Sequence, residues 1–344
     1  MHVHSDFDLF WTGGTPRTIP VSIYRWLWEQ HADDPAWGEL FDRGLKVASH
    51  IVPYRVERPV EIRSEQTGAG NALRCFDRWV TPYGELREVH YNGWNAEYLL
   101  KTEEDYRIMA DVVRNTRLSP ARDEFAETEA RFGDTGISLV FIGRTPLQTM
   151  LVDLAGLEQF CLHLCLFPDT VGRLYEELLK EFTTRVDIAS EAPGRYVALI
   201  ENFSAETLGP RRFDRYIRPV YDSLIPRLHA AGKSVGVHYD GKTACVADSV
   251  AASPVDIIES LTEPPEGDQT LAQCRSVWPE KNFWVNVNVD NYSLPPEQLR
   301  ARIRHLYRTG ARSDGSGIAF EISEELPANW RRSVPVLLDT VEEL

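Results

Sequence analysis

Eight short β-rich runs recur along the chain, most of them followed by a stretch of helical period, and this alternation constrains the fold more than any other feature. Strands are expected near 19–24 (IPVSIY), 46–53 (KVASHIVP), 136–143 (GISLVFIG), 196–202 (YVALIEN), 234–240 (SVGVHYD), 255–260 (VDIIES), 283–289 (FWVNVNV) and 317–322 (GIAFEI). Strands that alternate with helices pair in parallel, because each crossover helix returns the chain to the same end of the sheet. Eight such units close a (β/α)8, or TIM, barrel. The connecting segments carry helix punctuation. Pro210 and Arg211 open an apolar-periodic stretch that runs to His229, with Gly232 as its C-cap, and the stretch 295–306 begins with prolines.

Residues 57–100 interrupt the pattern. Polar and aromatic residues alternate there around a Pro82-Tyr83-Gly84 turn, which predicts an antiparallel hairpin inserted after the second strand. Helices are expected to follow at 103–115 and 119–132. The expectation is therefore one α/β barrel domain over residues 1–344 with the hairpin inside it, serving as a lid or a homodimer contact. The 344 residues are 43% hydrophobic and suffice for a large core. Five cysteines without a CxxC pair argue against a disulfide framework. No run approaches the ~18 apolar residues of a membrane span, and the start lacks a signal-peptide pattern, so a cytoplasmic protein is expected. The net charge of −15 weighs against nucleic acid as a partner.

The residues able to do chemistry gather at the ends of the expected strands, the end that carries the active site in such barrels. In Val237-His238-Tyr239-Asp240-Gly241 the alternation of a strand turns His238 and Asp240 to one face. An imidazole and a carboxylate together suit a metal, or a base with its orienting acid; a purely structural hydrogen bond is the alternative. Glu321 lies among Ile318, Phe320 and Ile322, where an unpaired carboxylate is costly and calls for a cation or hydrogen-bond donors. Glu324 and Glu325 read as solvated or as partners of a helix dipole. Glu201 and Asn202 end the fourth strand, Glu259 lies in the sixth, and Asn286, Asn288 and Asp290 end the seventh. Cys161 and Cys165 sit among leucines and read as packing residues. Neither a phosphate loop nor a GxSxG elbow is present.

The segments GRTPLQTMLVDLAG, LGPRRFDRYIRPVYDSLIP, KSVGVHYDG, VNVNVD and ELPANW resemble the uroporphyrinogen decarboxylase-like superfamily, which includes cobalamin- and coenzyme-M-linked methyltransferases. The resemblance covers most of the chain and is strongest over 134–330. The arginine-rich first-strand segment of the decarboxylases is replaced here by Ser22-Ile23-Tyr24-Arg25-Trp26, and Val52-Pro53-Tyr54 stands where they carry an aspartate. The methyltransferases resemble the chain at His238, but Asp240 takes the place of a zinc-binding cysteine. What the resemblance implies is methyl transfer between a small methylated compound and a corrinoid or tetrahydrofolate carrier, the corrinoid held on a partner protein. His238, Asp240 and Glu321 would hold zinc. His238, Asp240 and Glu201 would be catalytic, while Arg25, Asn202, Glu259, Asn288 and Asp290 would bind substrate. Two alternatives stand beside it: a lyase acting on a small carboxylic acid held by Arg25, and a non-catalytic ligand-binding barrel.

Overall fold

The computed structural model describes residues 5–202 and 205–344. Eight parallel strands close a barrel, labelled here in chain order: β1 (Val21–Tyr24), β2 (Leu45–Ile51), β3 (Gly136–Gly143), β4 (Tyr196–Ile200), β5 (Ser234–His238), β6 (Ile257–Leu261), β7 (Asn282–Asn286) and β8 (Ile318–Glu321). Each strand pairs with its neighbours in sequence, and β1 meets β8 through Val21–Phe320 and Ser22–Glu321. All eight coincide with expected runs, most of them shortened by a residue or more at one or both ends. The strands are mainly apolar, as befits a sheet covered on both faces.

The chain divides into two compact units. The first comprises Met1–Pro53, Ala121–Gly143 and Ala189–Leu344, and contains the barrel. Its short N-terminal helix Asp6–Trp11 starts with a capping box at Ser5 and buries Phe7, Phe10 and Trp11. All three rings pack on Trp284 of β7, with centroids 5.5, 6.4 and 5.8 Å away. Burying each such ring is worth roughly 1.5–3 kcal/mol. Gly236 of β5 makes room for this plug, since a Cβ there would meet the Trp11 ring at 3.0 Å. The aromatics thus fill the barrel near the N-terminal ends of its strands and leave the C-terminal ends to polar residues.

One irregularity shapes that polar end. The register of β6 against β7 shifts between Glu259 and Leu261, and the extra residue, Ser260, has φ +56°. A bulge of this kind re-aims a side chain, and a non-glycine residue in the left-handed region is strained.

The second unit comprises Tyr54–Pro120 and Arg144–Ile188. Residues 61–97 form a four-stranded antiparallel sheet of Glu61–Thr67, Arg74–Thr81, Gly84–Tyr91 and Trp94–Glu97. Two of these strands flank the Pro82-Tyr83 turn. The outer pair escapes sequence reading because Glu61–Thr67 is exposed along its whole length and so has no apolar alternation. Tyr54–Glu57 pairs antiparallel with Arg117–Pro120, which takes the start of the expected second helix and leaves it as Arg122–Phe132. No single helix among the described residues is long and apolar enough to cross a membrane.

Candidate functional site

Parallel register puts laterally paired residues on the same face of a sheet, and His238 of β5 pairs with Glu259 of β6. The two side chains accordingly meet, with Nδ1 of His238 3.7 Å from Oε2 of Glu259. The other ring nitrogen, Nε2, faces Glu324 Oε1 at 3.4 Å and Asp240 Oδ2 at 3.9 Å. His238, Asp240 and Glu324 each offer a ligand atom within 4.8 Å of the others. Glu324 is steered there by Ser260, whose hydroxyl donates to its Oε1 at 2.7 Å.

Tyr24, the last residue of β1, reaches across to the same cluster. Its hydroxyl lies 3.0 Å from Glu259 Oε1 and 2.7 Å from Glu321 Oε2. A phenol has one proton and can serve only one of two acceptors, so the second short contact requires a proton on a carboxyl group. Glu321 is the group that carries it. Burial and the neighbouring Glu259 charge push its carboxyl up to about 8. Burial also raises Glu259, but the contacts with His238, His50 and Tyr24 outweigh it and hold that carboxyl below its ordinary value. His50 of β2 lies 4.0 Å from Glu259 through Nε2, and burial lowers its pKa.

Burial disfavours charge on His238 too, yet Glu259, Glu324 and Asp240 prevail and raise its pKa well above the ordinary value. Glu324 is lowered, first by its hydrogen bond with His238. Asp240 is raised, chiefly by burial, against the pull of His238. Around Glu321 three buried polar atoms, Glu321 Oε1, Asn286 Oδ1 and Tyr292 Oη, have no hydrogen-bond partner among the described residues. Asn286 is the register partner of Glu321.

Among the other expected site residues, Asn202 reaches the cluster, while Glu201, Arg25, Asn288 and Asp290 are set differently. Glu201 follows Ile200, the register partner of His238, and therefore turns to the opposite face; its carboxylate accepts the Tyr221 hydroxyl at 2.8 Å, on helix Arg218–Ala230. Arg25 starts helix Arg25–Glu29, bonds Glu29 at 2.8 Å and stacks over Phe132. Asn288 caps the turn Val289–Ser293 by accepting from the Asp290 amide, and Asp290 is exposed. Asn202 is exposed with φ +44°, and its side chain hydrogen-bonds Asp240. Glu324, read from sequence as solvated or as a helix-dipole partner, contacts His238, because the loop after β8 folds it back over the barrel end. Tyr24 and His50 were not singled out either. Both are polar-capable residues in apolar strands, a signal available in VSIY and KVASHIVP.

No family model matches the chain, and no curated protein matches it. Among solved structures, it is similar to a methyltransferase from Methanosarcina mazei, with a TM-score of 0.60 at 12% identity over 98% of this chain and 97% of that one. The likeness establishes a shared fold. A second structure, of the tandem GH20 catalytic modules of the pneumococcal exo-β-D-N-acetylglucosaminidase StrH, gives a TM-score of 0.40 at 9% identity over 94% and 84% of the two chains, and carries no argument.

Proposed function

We propose that this protein is a methyltransferase-like barrel enzyme that moves a methyl group between a small methylated compound and a corrinoid or tetrahydrofolate carrier, a corrinoid being presented by a partner protein. The observation that carries the reading is the two-sided setting of His238. Its Nε2 faces Asp240 and Glu324 while Nδ1 faces Glu259. Metal-binding histidines are set in this manner, one nitrogen toward the ion and the other anchored by a carboxylate that fixes tautomer and basicity. The M. mazei protein of the same fold is described as a methyltransferase, which agrees with the reading.

One nitrogen and two carboxylate donors suit a divalent ion, zinc first. The unpartnered oxygens of Glu321, Asn286 and Tyr292 fit a polar group bound beside it. His238, Asp240 and Glu324 would hold the ion, with Glu324 replacing Glu321 in the set expected from sequence. When bound, the ion would supply Lewis acidity toward the heteroatom that carries the methyl group. Glu321 remains as a neutral acid. In transfer from the methylated compound, the carbon–heteroatom bond breaks, its electron pair stays on the heteroatom, and the proton held by Glu321 is available to it. Meanwhile the carrier's nucleophile forms the new bond to carbon. Burial and the negative charge of Glu259 keep that proton on Glu321. The lyase alternative rests on Arg25, whose guanidinium pairs with Glu29 one helical turn away.

The test combines metal content with transfer. Protein supplied with zinc is expected to hold an equivalent that His238→Ala and Glu324→Gln both lose, and to methylate cob(I)alamin or tetrahydrofolate from at least one methylated amine, thiol or alcohol. Wild-type protein whose zinc content His238→Ala leaves unchanged, and which transfers no methyl group to either carrier, overturns the reading.

A further inference from the structure

We propose a second metal site, made of none of the barrel residues: Asp77, Glu88 and His90 of the four-stranded sheet bind one divalent ion of the zinc class. Asp77 sits directly opposite Glu88 across strands Arg74–Thr81 and Gly84–Tyr91, and Cys75 sits opposite His90. The spacing of two along each strand puts all four side chains on one face. Like charges directly opposite each other destabilise a strand pair. Here the like-charged pair is also largely buried, with side-chain exposures of 15% for Asp77 and 11% for Glu88. Arg78 and Arg87, which pair with each other at the adjacent position, belong to the other face and do not neutralise it.

The orientation of each carboxylate is what points to an ion. Trp79 Nε1 donates to Glu88 Oε1 at 3.0 Å, and Glu88 Oε2 is turned to His90 Nε2 at 3.5 Å. Cys75 Sγ donates to Asp77 Oδ1 at 3.4 Å, and Asp77 Oδ2 is turned to the same nitrogen at 3.7 Å. In both, one oxygen is fixed by a neighbouring donor and the other aims at a common point, the arrangement of outer partners that orient metal ligands. One ligand atom from each of the three residues lies within 4.8 Å of the others. Two carboxylates and a neutral imidazole carry a charge that a divalent cation cancels, and three protein donors leave a coordination position for water. A protonated His90 held as an ion pair is the competing arrangement, and it cancels only half of that charge.

The full-length protein, stripped with chelator and titrated with zinc or cobalt, tests this independently of the barrel site. His238→Ala is expected to keep one equivalent, and cobalt bound to it to show visible d–d bands. His90→Ala and Glu88→Gln are expected to lose that equivalent, with affinity falling at least 100-fold. Far-UV circular dichroism checks that the variants are folded, and should they not be, the cobalt spectrum of His238→Ala decides alone. Absence of cobalt bands in that protein, or equal zinc binding by folded His90→Ala and wild type, leaves only an ion pair and overturns the proposal.

Discussion

Ser260 donates its hydroxyl to Glu324 across 2.7 Å, tying the bulge in β6 to the loop that follows β8. Through this bond a residue outside every strand arrives beside His238. Outer partners of metal ligands are worth about 10–100-fold in affinity. Ser260→Ala is therefore expected to weaken zinc binding at the barrel site by about that factor, measured by competition with a chelating dye. Glu324→Gln should weaken it further. Equal affinity in both variants and wild type would remove Glu324 from the ligand set.

The raised pKa of Glu321 makes a prediction about stability and pH. Unfolded, the group loses its proton near the ordinary value of 4.5; folded, near about 8. Between those values the folded state binds more protons than the unfolded state, so stability falls as pH rises through this window. His238, also raised, contributes stability that is lost as pH rises through its folded value, but it is present in both proteins compared. With chelator present, Glu321→Gln is expected to match wild type near about pH 5 and to melt a few degrees higher near about pH 8.5. Parallel melting curves across that range would show that Glu321 is ionised throughout.

Tyr24 separates two carboxyl groups that otherwise face each other. Tyr24→Phe keeps the ring and removes the shared hydroxyl, so a loss of roughly 1–3 kcal/mol is expected by urea denaturation. The loss should be larger at alkaline pH, where both carboxyls tend to ionise. A variant as stable as wild type at every pH would mean the hydroxyl bridges nothing.

Glu201 supplies a control. Tyr221→Phe removes the hydroxyl that its buried carboxylate accepts and is expected to cost roughly 1–3 kcal/mol of stability. Zinc affinity at the barrel site should not change. A loss of affinity comparable with that of Glu324→Gln would return Glu201 to the site.

The eight strands were legible because each is an apolar run of strand length bounded by helix signals. His238, Asp240, Glu259 and Glu321 were legible because they interrupt or end such runs. Glu201 looked equivalent, and only parity separates it: Ile200 shares a face with His238, so the next residue faces the helices. The register between β4 and β5 that fixes this is a tertiary fact. Glu324 could not be read at all, since it depends on a loop path and on a bulge at Ser260 that no local propensity announces. Arg25 has a partner close in sequence. Glu29 lies one helical turn away, and an i,i+4 pair competes with any ligand for its charge.

The aromatic plug of Phe7, Phe10 and Trp11 turns the barrel into a cul-de-sac. Whatever reacts near Tyr24 and His238 comes and goes past the strand C-termini, because the opposite end is stoppered on Trp284. For two reactants of unequal size, a single doorway imposes an itinerary. Under the proposed methyl transfer, the small methylated compound would have to settle before a bulky carrier stands at the threshold, and its demethylated remnant would stay inside until the carrier steps away. Traffic of this sort is sequential by architecture, whatever the affinities.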